Sequence, residues 1–272
     1  MATKSEQAIH EIVGKHRIFL GEICGIHEDY LFQTFYLPKI HKLVQKDKLP
    51  VFNFEGIYSD IKEPFKKDFI YGVINRQERR TVPEQALLRI VSVTENFLQK
   101  IVFRVYRDFQ GKISASQETP EQQMKILNIV INSASKEEII NKIAEEKIRG
   151  IFYGNPADFF LKDKAKIGLG DCFKTNFVKA IKEYKEVIAR RNAVMHNEGR
   201  VDRKYLREVE NPVFTLDQKV EINKEYITNS IFLLYGLASV VVKQVIVNNY
   251  NPSYVNKKLD KFVVSFTEKY KN

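Results

Sequence analysis

The sequence predicts an all-α protein, and three observations carry that prediction. Only 12 glycines and 8 prolines occur in 272 residues. The chain is rich in Lys, Glu, Ile and Leu, which favour helix. Long segments place their apolar residues at alternating spacings of three and four, the mark of one buried helix face. With 44% apolar and 29% charged residues, the composition is that of a globular rather than a disordered chain. The length suits one large or two modest domains. A formal net charge of +10 favours a polyanionic partner, and residues 151–210 hold +4 of it, the largest regional share.

In chain order, residues 1–80 read as an N-terminal helical extension of several short helices, broken at Gly21, Gly25, Pro38, Pro50 and Pro64. His10, His16, His27 and His41 have no metal-ligand spacing and read as surface or packing residues. Thr81-Val82-Pro83-Glu84 has the pattern of a helix start, with a capping residue, a proline in the first turn and a carboxylate three residues on. The helix it opens should run to about Arg107, with Leu88, Val91, Glu95, Leu98, Val102 and Val105 on one face. Glu95 is the odd member: it sits at the wet edge of the stripe, or it is buried and needs a partner. A polar connection follows over 110–118, then helix starts at Thr119-Pro120 and at Ser135-Lys136-Glu137-Glu138. Ile167-Gly168-Leu169-Gly170 reads as a loop, without the lysine of a phosphate-cradling motif. Cys24 and Cys172 form no redox or zinc pattern, read as core residues and predict a reduced compartment. The N-terminus lacks the apolar run of a signal peptide, and the most apolar stretch, 231–242, is short and interrupted for a bilayer span. The expectation is a cytoplasmic protein with no membrane partner, cofactor or metal.

Asp171 is expected to cap a long helix on which Phe173, Phe177, Ile181, Tyr184, Ile188, Arg191 and Met195 share one line. That line delivers Arg191 onto or beside the buried face, where a guanidinium needs a carboxylate or a phosphate. The helix ends in Arg190-Arg191-Asn192-Ala193-Val194-Met195-His196-Asn197, followed by Glu198-Gly199. His196 lies five residues beyond Arg191, roughly 140° around an ideal helix, whereas Asn192 shares the histidine's face. One reading of these residues is ordinary helix-end chemistry: cations on the macrodipole and a glycine to leave the helix. The other is a phosphate site, with a permanent cation, an amide and an imidazole close together. Arg200, Arg203, Lys204 and Arg207 follow with Tyr205 among them, either a solvated charge run or an RNA-backbone surface with a stacking aromatic. A small β-hairpin is expected over 213–216 and 219–222. Asn223 should cap a last major helix from Lys224 to about Asn249, apolar on more than one side, and 251–272 reads as a basic helical tail.

The doubled arginine, the polar Asn192, three apolar residues, His196-Asn197 and the nearby Gly199 together resemble the signature of the HEPN superfamily of all-helical nucleases and nucleotide-binding domains. The resemblance spans about 81–250 and rests mainly on these residues, since the bare Arg-to-His spacing is common by chance. It implies Arg191 and His196 as a catalytic pair with Asn192 beside them. Arg190, Asn197 and Glu95 would support the pair, Glu95 by positioning Arg191. The resemblance further implies a metal-independent endoribonuclease of defence or toxin type, leaving a 2′,3′-cyclic phosphate and a 5′-hydroxyl. A homodimer with a composite site follows from it, as does an antitoxin or other defence-system protein as a further partner. The alternative is a HEPN-like scaffold that binds RNA or protein without cutting.

Overall fold

The computed structural model describes residues 3–46, 48, 67–115, 120–152, 155–252 and 256–271. The chain is all-α. Helix α1, Lys4–Gln45, opens on a capping box: Thr3 Oγ1 accepts from the Glu6 amide at 3.1 Å, and Glu6 Oε2 accepts from the Thr3 amide at 2.7 Å. It is one helix of 42 residues, not several, and it runs unbroken through Gly21, Gly25 and Pro38. Ala8, Ile12, His16, Phe19, Ile23, Ile26 and Tyr30 form one continuous buried seam along it. Burial of that seam outweighs the cost of about 1 kcal/mol for each helical glycine. The expected breaks at Pro50 and Pro64 lie outside the described residues. Helix α1 packs its seam into the same hydrophobic core as the helices that follow.

Helix α2, Lys67–Arg76, passes through a π-helical turn, Gln77–Thr81, directly into α3, Val82–Asp108. Thr81 therefore has helical dihedrals and makes no side-chain cap, contrary to the start expected there. The reason is tertiary: Ile70 and Ile74 of α2 pack on Val44 near the end of α1, which holds the incoming chain in register with α3. Along α3, Val91, Leu98, Val102 and Val105 are fully buried as their spacing requires, whereas Leu88, expected on the same face, is only half-buried. A short 3-10 segment, Gln110–Ala115, precedes α4, Pro120–Ile131, and α5, Lys136–Phe152. The start of α5 is as expected, with Ser135 Oγ accepting from the Glu138 amide at 3.2 Å. The residue expected to cap α4, Thr119, lies outside the described residues.

Helix α6, Asp158–Leu161, leads to a loop fixed by Asp163, whose carboxylate accepts from the amides of Ile167, Gly168 and Leu169 at 3.0 Å each. Two short or interrupted pieces follow, α7, Cys172–Asn176, and the motif helix α8, Val178–His196. Then come α9, Arg203–Glu208, the central α10, Lys224–Tyr250, and α11, Lys257–Tyr270. Asn223 caps α10 as expected, accepting from the Tyr226 amide at 2.8 Å. By length and composition α10 could cross a membrane, with a mean hydropathy of 2.0. Here it is the core helix, with every residue from Leu233 to Val242 buried. Residues 256–271 are no tail: Leu259, Val263, Phe266 and Tyr270 are buried against the core. Tyr270 donates to Glu183 Oε2 on α8 at 2.7 Å. The expected hairpin is absent. Lys219 instead makes an isolated antiparallel bridge with Arg200, so 217–220 pairs with the exit from α8 rather than with 213–216. Cys24 is exposed and Cys172 half-buried, neither in the core.

Candidate functional site

Asp171 does not cap the motif helix. It precedes α7 without a side-chain bond, and the backbone breaks at Phe177 (φ −133°, ψ 32°) before α8 begins. From there Ile181, Tyr184 and Ile188 are buried in sequence, and α8 lies against α3. One turn further along, Arg191 Nη2 donates to Glu95 Oε1 at 2.5 Å, across two side chains that are each about one-quarter exposed or less. The carboxylate in the apolar stripe of α3 is thus a partner for the arginine at the end of the line. Burial pushes the Glu95 carboxyl up, and the Arg191 guanidinium pulls it back only in part. Burial, with Glu95 close by, also pushes the Tyr184 hydroxyl up. Arg191 Nε is buried without a hydrogen-bond partner among the described residues, leaving one strong donor unused.

Arg190 has a different environment. Its guanidinium pairs with Glu186 (Nε to Oε1, 2.7 Å; Nη2 to Oε1, 2.5 Å) and donates to the Glu221 carbonyl. It also lies 3.8 Å from the Tyr226 ring centroid and 4.9 Å from that of Phe214. Both tyrosine hydroxyls that approach Glu186 donate to it, Tyr205 at 2.9 Å and Tyr226 at 2.7 Å. This cage ties α8 to α9 and to the start of α10. It also corrects one expectation: Tyr205 is 2% exposed and cannot stack on a base, because its ring belongs to a small core with Ala189, Val201 and Val209.

His196 is the last residue of α8, exposed, with no hydrogen bond among the described residues. Asn192 is half-buried and likewise has no hydrogen bond there. Asn197 Nδ2 donates to the Arg200 carbonyl at 2.8 Å, closing the turn after the helix. Gly199 leaves the helix at φ +77°, with its amide on the Ala193 carbonyl at 2.9 Å. Because α8 stays regular through His196, Arg191 and His196 point about 140° apart, and one chain does not bring them together. Arg203, Lys204 and Arg207 are exposed on α9 without acidic partners among the described residues, whereas Arg200 is held by the Asp217 carbonyl at 2.9 Å.

What Arg191 does face is a cavity of about 700 Å³ between α1, α3, α5 and α8. Among the described residues six cations line it (Lys15, Lys100, Arg104, Arg107, Arg149 and Arg191) against three carboxylates (Glu11, Glu95 and Glu145). Glu11 and Asp108 engage Arg104, but Lys100 and Arg107 have no acidic partner among the described residues. The surplus of positive charge and the amides of Asn96 and Gln99 suit an anion. His196 is not on these walls. The sequence reading missed this face of α3, although Gln99, Phe103 and Arg107 recur at spacings of four beside Glu95.

The chain matches no family model, no curated protein and no solved structure. The HEPN resemblance therefore rests on the motif residues of the sequence alone. Among the described residues, no group of three or more His, Cys, Asp or Glu side chains could hold a metal ion.

Proposed function

We propose that this protein is a HEPN-like, metal-independent endoribonuclease that works as a homodimer. The observation that carries the reading is the Glu95–Arg191 pair at the wall of a cavity with excess positive charge, with one guanidinium N–H left unpaired. An arginine held this way presents a fixed cation where charge develops on a phosphate, and transition-state stabilisation of that kind is worth several powers of ten. His196 is exposed and without internal partners, so its imidazole is available for proton transfer. In this reading a 2′-hydroxyl attacks the adjacent phosphorus, the His196 imidazole of one copy takes its proton, and the 5′-oxygen leaves with a proton given by the protonated His196 of the other copy. The products are a 2′,3′-cyclic phosphate and a 5′-hydroxyl.

The 140° divergence of Arg191 and His196 within one chain supports pairing Arg191 of one copy with His196 of another across a two-fold axis. Arg203, Lys204 and Arg207 would extend the phosphate-binding surface from α9. A second reading has its own support: His196 lies off the cavity walls, as it would in a protein that binds RNA without cutting. Incubating the purified protein with mixed RNA in excess chelator, beside a His196→Ala control, separates the two. Cleavage by the parent alone supports the nuclease. RNA retention without cleavage by either protein supports the binder and overturns the nuclease.

A further inference from the structure

A second cavity, of about 470 Å³, opens between α1, α10 and α11, on elements other than those that hold Arg191. Its volume falls in the range of small-molecule pockets. Val13, Leu20 and Ile23 of α1, Ile231 and Phe232 of α10, and Phe262 of α11 form its apolar wall. His27 Nε2 and Thr228 Oγ1 meet at 3.3 Å across one end, joining α1 to α10.

The charged lining is of one sign. Arg17 and Lys258 line the cavity, both exposed and both without an acidic partner among the described residues, and no described Asp or Glu lines it. His16, in the same wall, is 6% exposed and adds no charge. The Ser239 hydroxyl donates to the Tyr235 carbonyl at 2.8 Å, so its proton is committed, and His16 Nε2, 2.9 Å from Ser239 Oγ, must be the donor. Burial pushes the His16 imidazole down to about 4, which keeps it neutral at pH 7. An aliphatic and aromatic trough with two cations unpaired and no carboxylate among the described residues is complementary to a molecule with a hydrocarbon body and one anionic end.

We propose that this cavity binds a long-chain carboxylate, its hydrocarbon chain along the wall of Leu20, Ile231 and Phe262 and its carboxylate at Arg17 and Lys258. The site is independent of the nuclease reading, since neither Arg191 nor His196 lines it.

The test is titration calorimetry of the full chain with dodecanoate below its micellar concentration, with decanoate and dodecanol as comparators. Saturable one-to-one binding of dodecanoate is expected. Decanoate should bind about an order of magnitude more weakly, because each buried methylene is worth about fourfold in affinity. The Arg17→Ala and Lys258→Ala pair should weaken dodecanoate about tenfold or more and leave dodecanol unchanged. Leu20→Trp, which fills the trough, should abolish binding while keeping the thermal melt. If that variant does not fold, Thr228→Trp at the rim serves instead. Absence of saturable binding by dodecanoate, or binding that survives the filled trough, overturns the site. Equal binding of dodecanol and dodecanoate by the parent overturns the carboxylate assignment.

Discussion

Adjacent arginines in α8 end in different surroundings, Arg190 inside the Glu186 cage and Arg191 against Glu95 at a cavity wall. Their substitutions should separate accordingly. Arg190→Ala removes a buried cation from a carboxylate and two rings, and urea unfolding should show a loss of about 3 kcal/mol. Arg191→Ala should lower RNA cleavage at least a hundredfold and change stability less. Cleavage that fails in a folded Arg190→Ala protein but persists in Arg191→Ala would shift the functional arginine by one position. His196→Ala should abolish cleavage and leave the unfolding midpoint where it was, since the ring makes no hydrogen bond among the described residues. His16 sets a pH dependence of its own. Its folded-state value lies near 4, so the unfolded chain binds that proton more tightly. The stabilisation is complete above pH ~6.5 and is lost as pH falls towards 4, on the order of 3 kcal/mol in all. His16→Phe, compared with the parent at pH 7 and pH 4.5, should lose less stability on acidification; an equal loss would assign the effect elsewhere.

At the scale of helices, what the sequence revealed was local. Ser135 and Asn223 were legible as caps because a side chain and an amide three residues on suffice to make one. The buried face of α3, with its one carboxylate, was legible because the 3.6-residue period survives folding. The break at Phe177 was not. Phe173 and Phe177 keep a helical spacing of four, yet what fixes them is packing against other helices: Phe173 against Phe160 at 5.0 Å, Phe177 against Phe266 at 5.5 Å. The length of α1 was hidden for the same reason, since its glycines and Pro38 read as breaks until its seam is seen buried. Tyr205 was misread because a tyrosine among cations looks like a base-stacking residue, and only the distant Glu186 shows that its hydroxyl points inward. One close approach gives a sharp test. A Cβ added at Gly236 would lie 2.0 Å from Phe266 Cδ2, so Gly236→Ala must displace the buried Phe266 ring, and with it the seating of α11 on α10. Its expected cost is about 1–3 kcal/mol, read as a lower thermal midpoint and partly restored by Phe266→Leu. An unchanged midpoint would mean that α11 is not seated there.

For the molecule as a whole, the proposed reaction needs more than one chain supplies: an anchored guanidinium at a cavity, and an imidazole facing elsewhere. Sedimentation should therefore give a dimer, and mixing Arg191→Ala with His196→Ala protein should restore part of the cleavage that each lacks. Full activity in a monomer would end the composite-site reading. The divergence was legible in the sequence too, since five residues are about 140° of an ideal helix; what the sequence could not show is that α8 stays regular to its last residue. The contact between Ser5 Oγ and the Tyr250 carbonyl, 2.7 Å apart and 245 positions distant in the chain, reaches beyond the site. Helix α1 finds its main partners in α3 and α10, and α10, which begins at Lys224, is made long after α1 ends at Gln45. At translation rates of about 5–20 residues per second, the apolar seam of α1 waits roughly 10–40 s for that partner. During synthesis that seam stays partly uncovered, and the bundle closes only once α10 has joined α1.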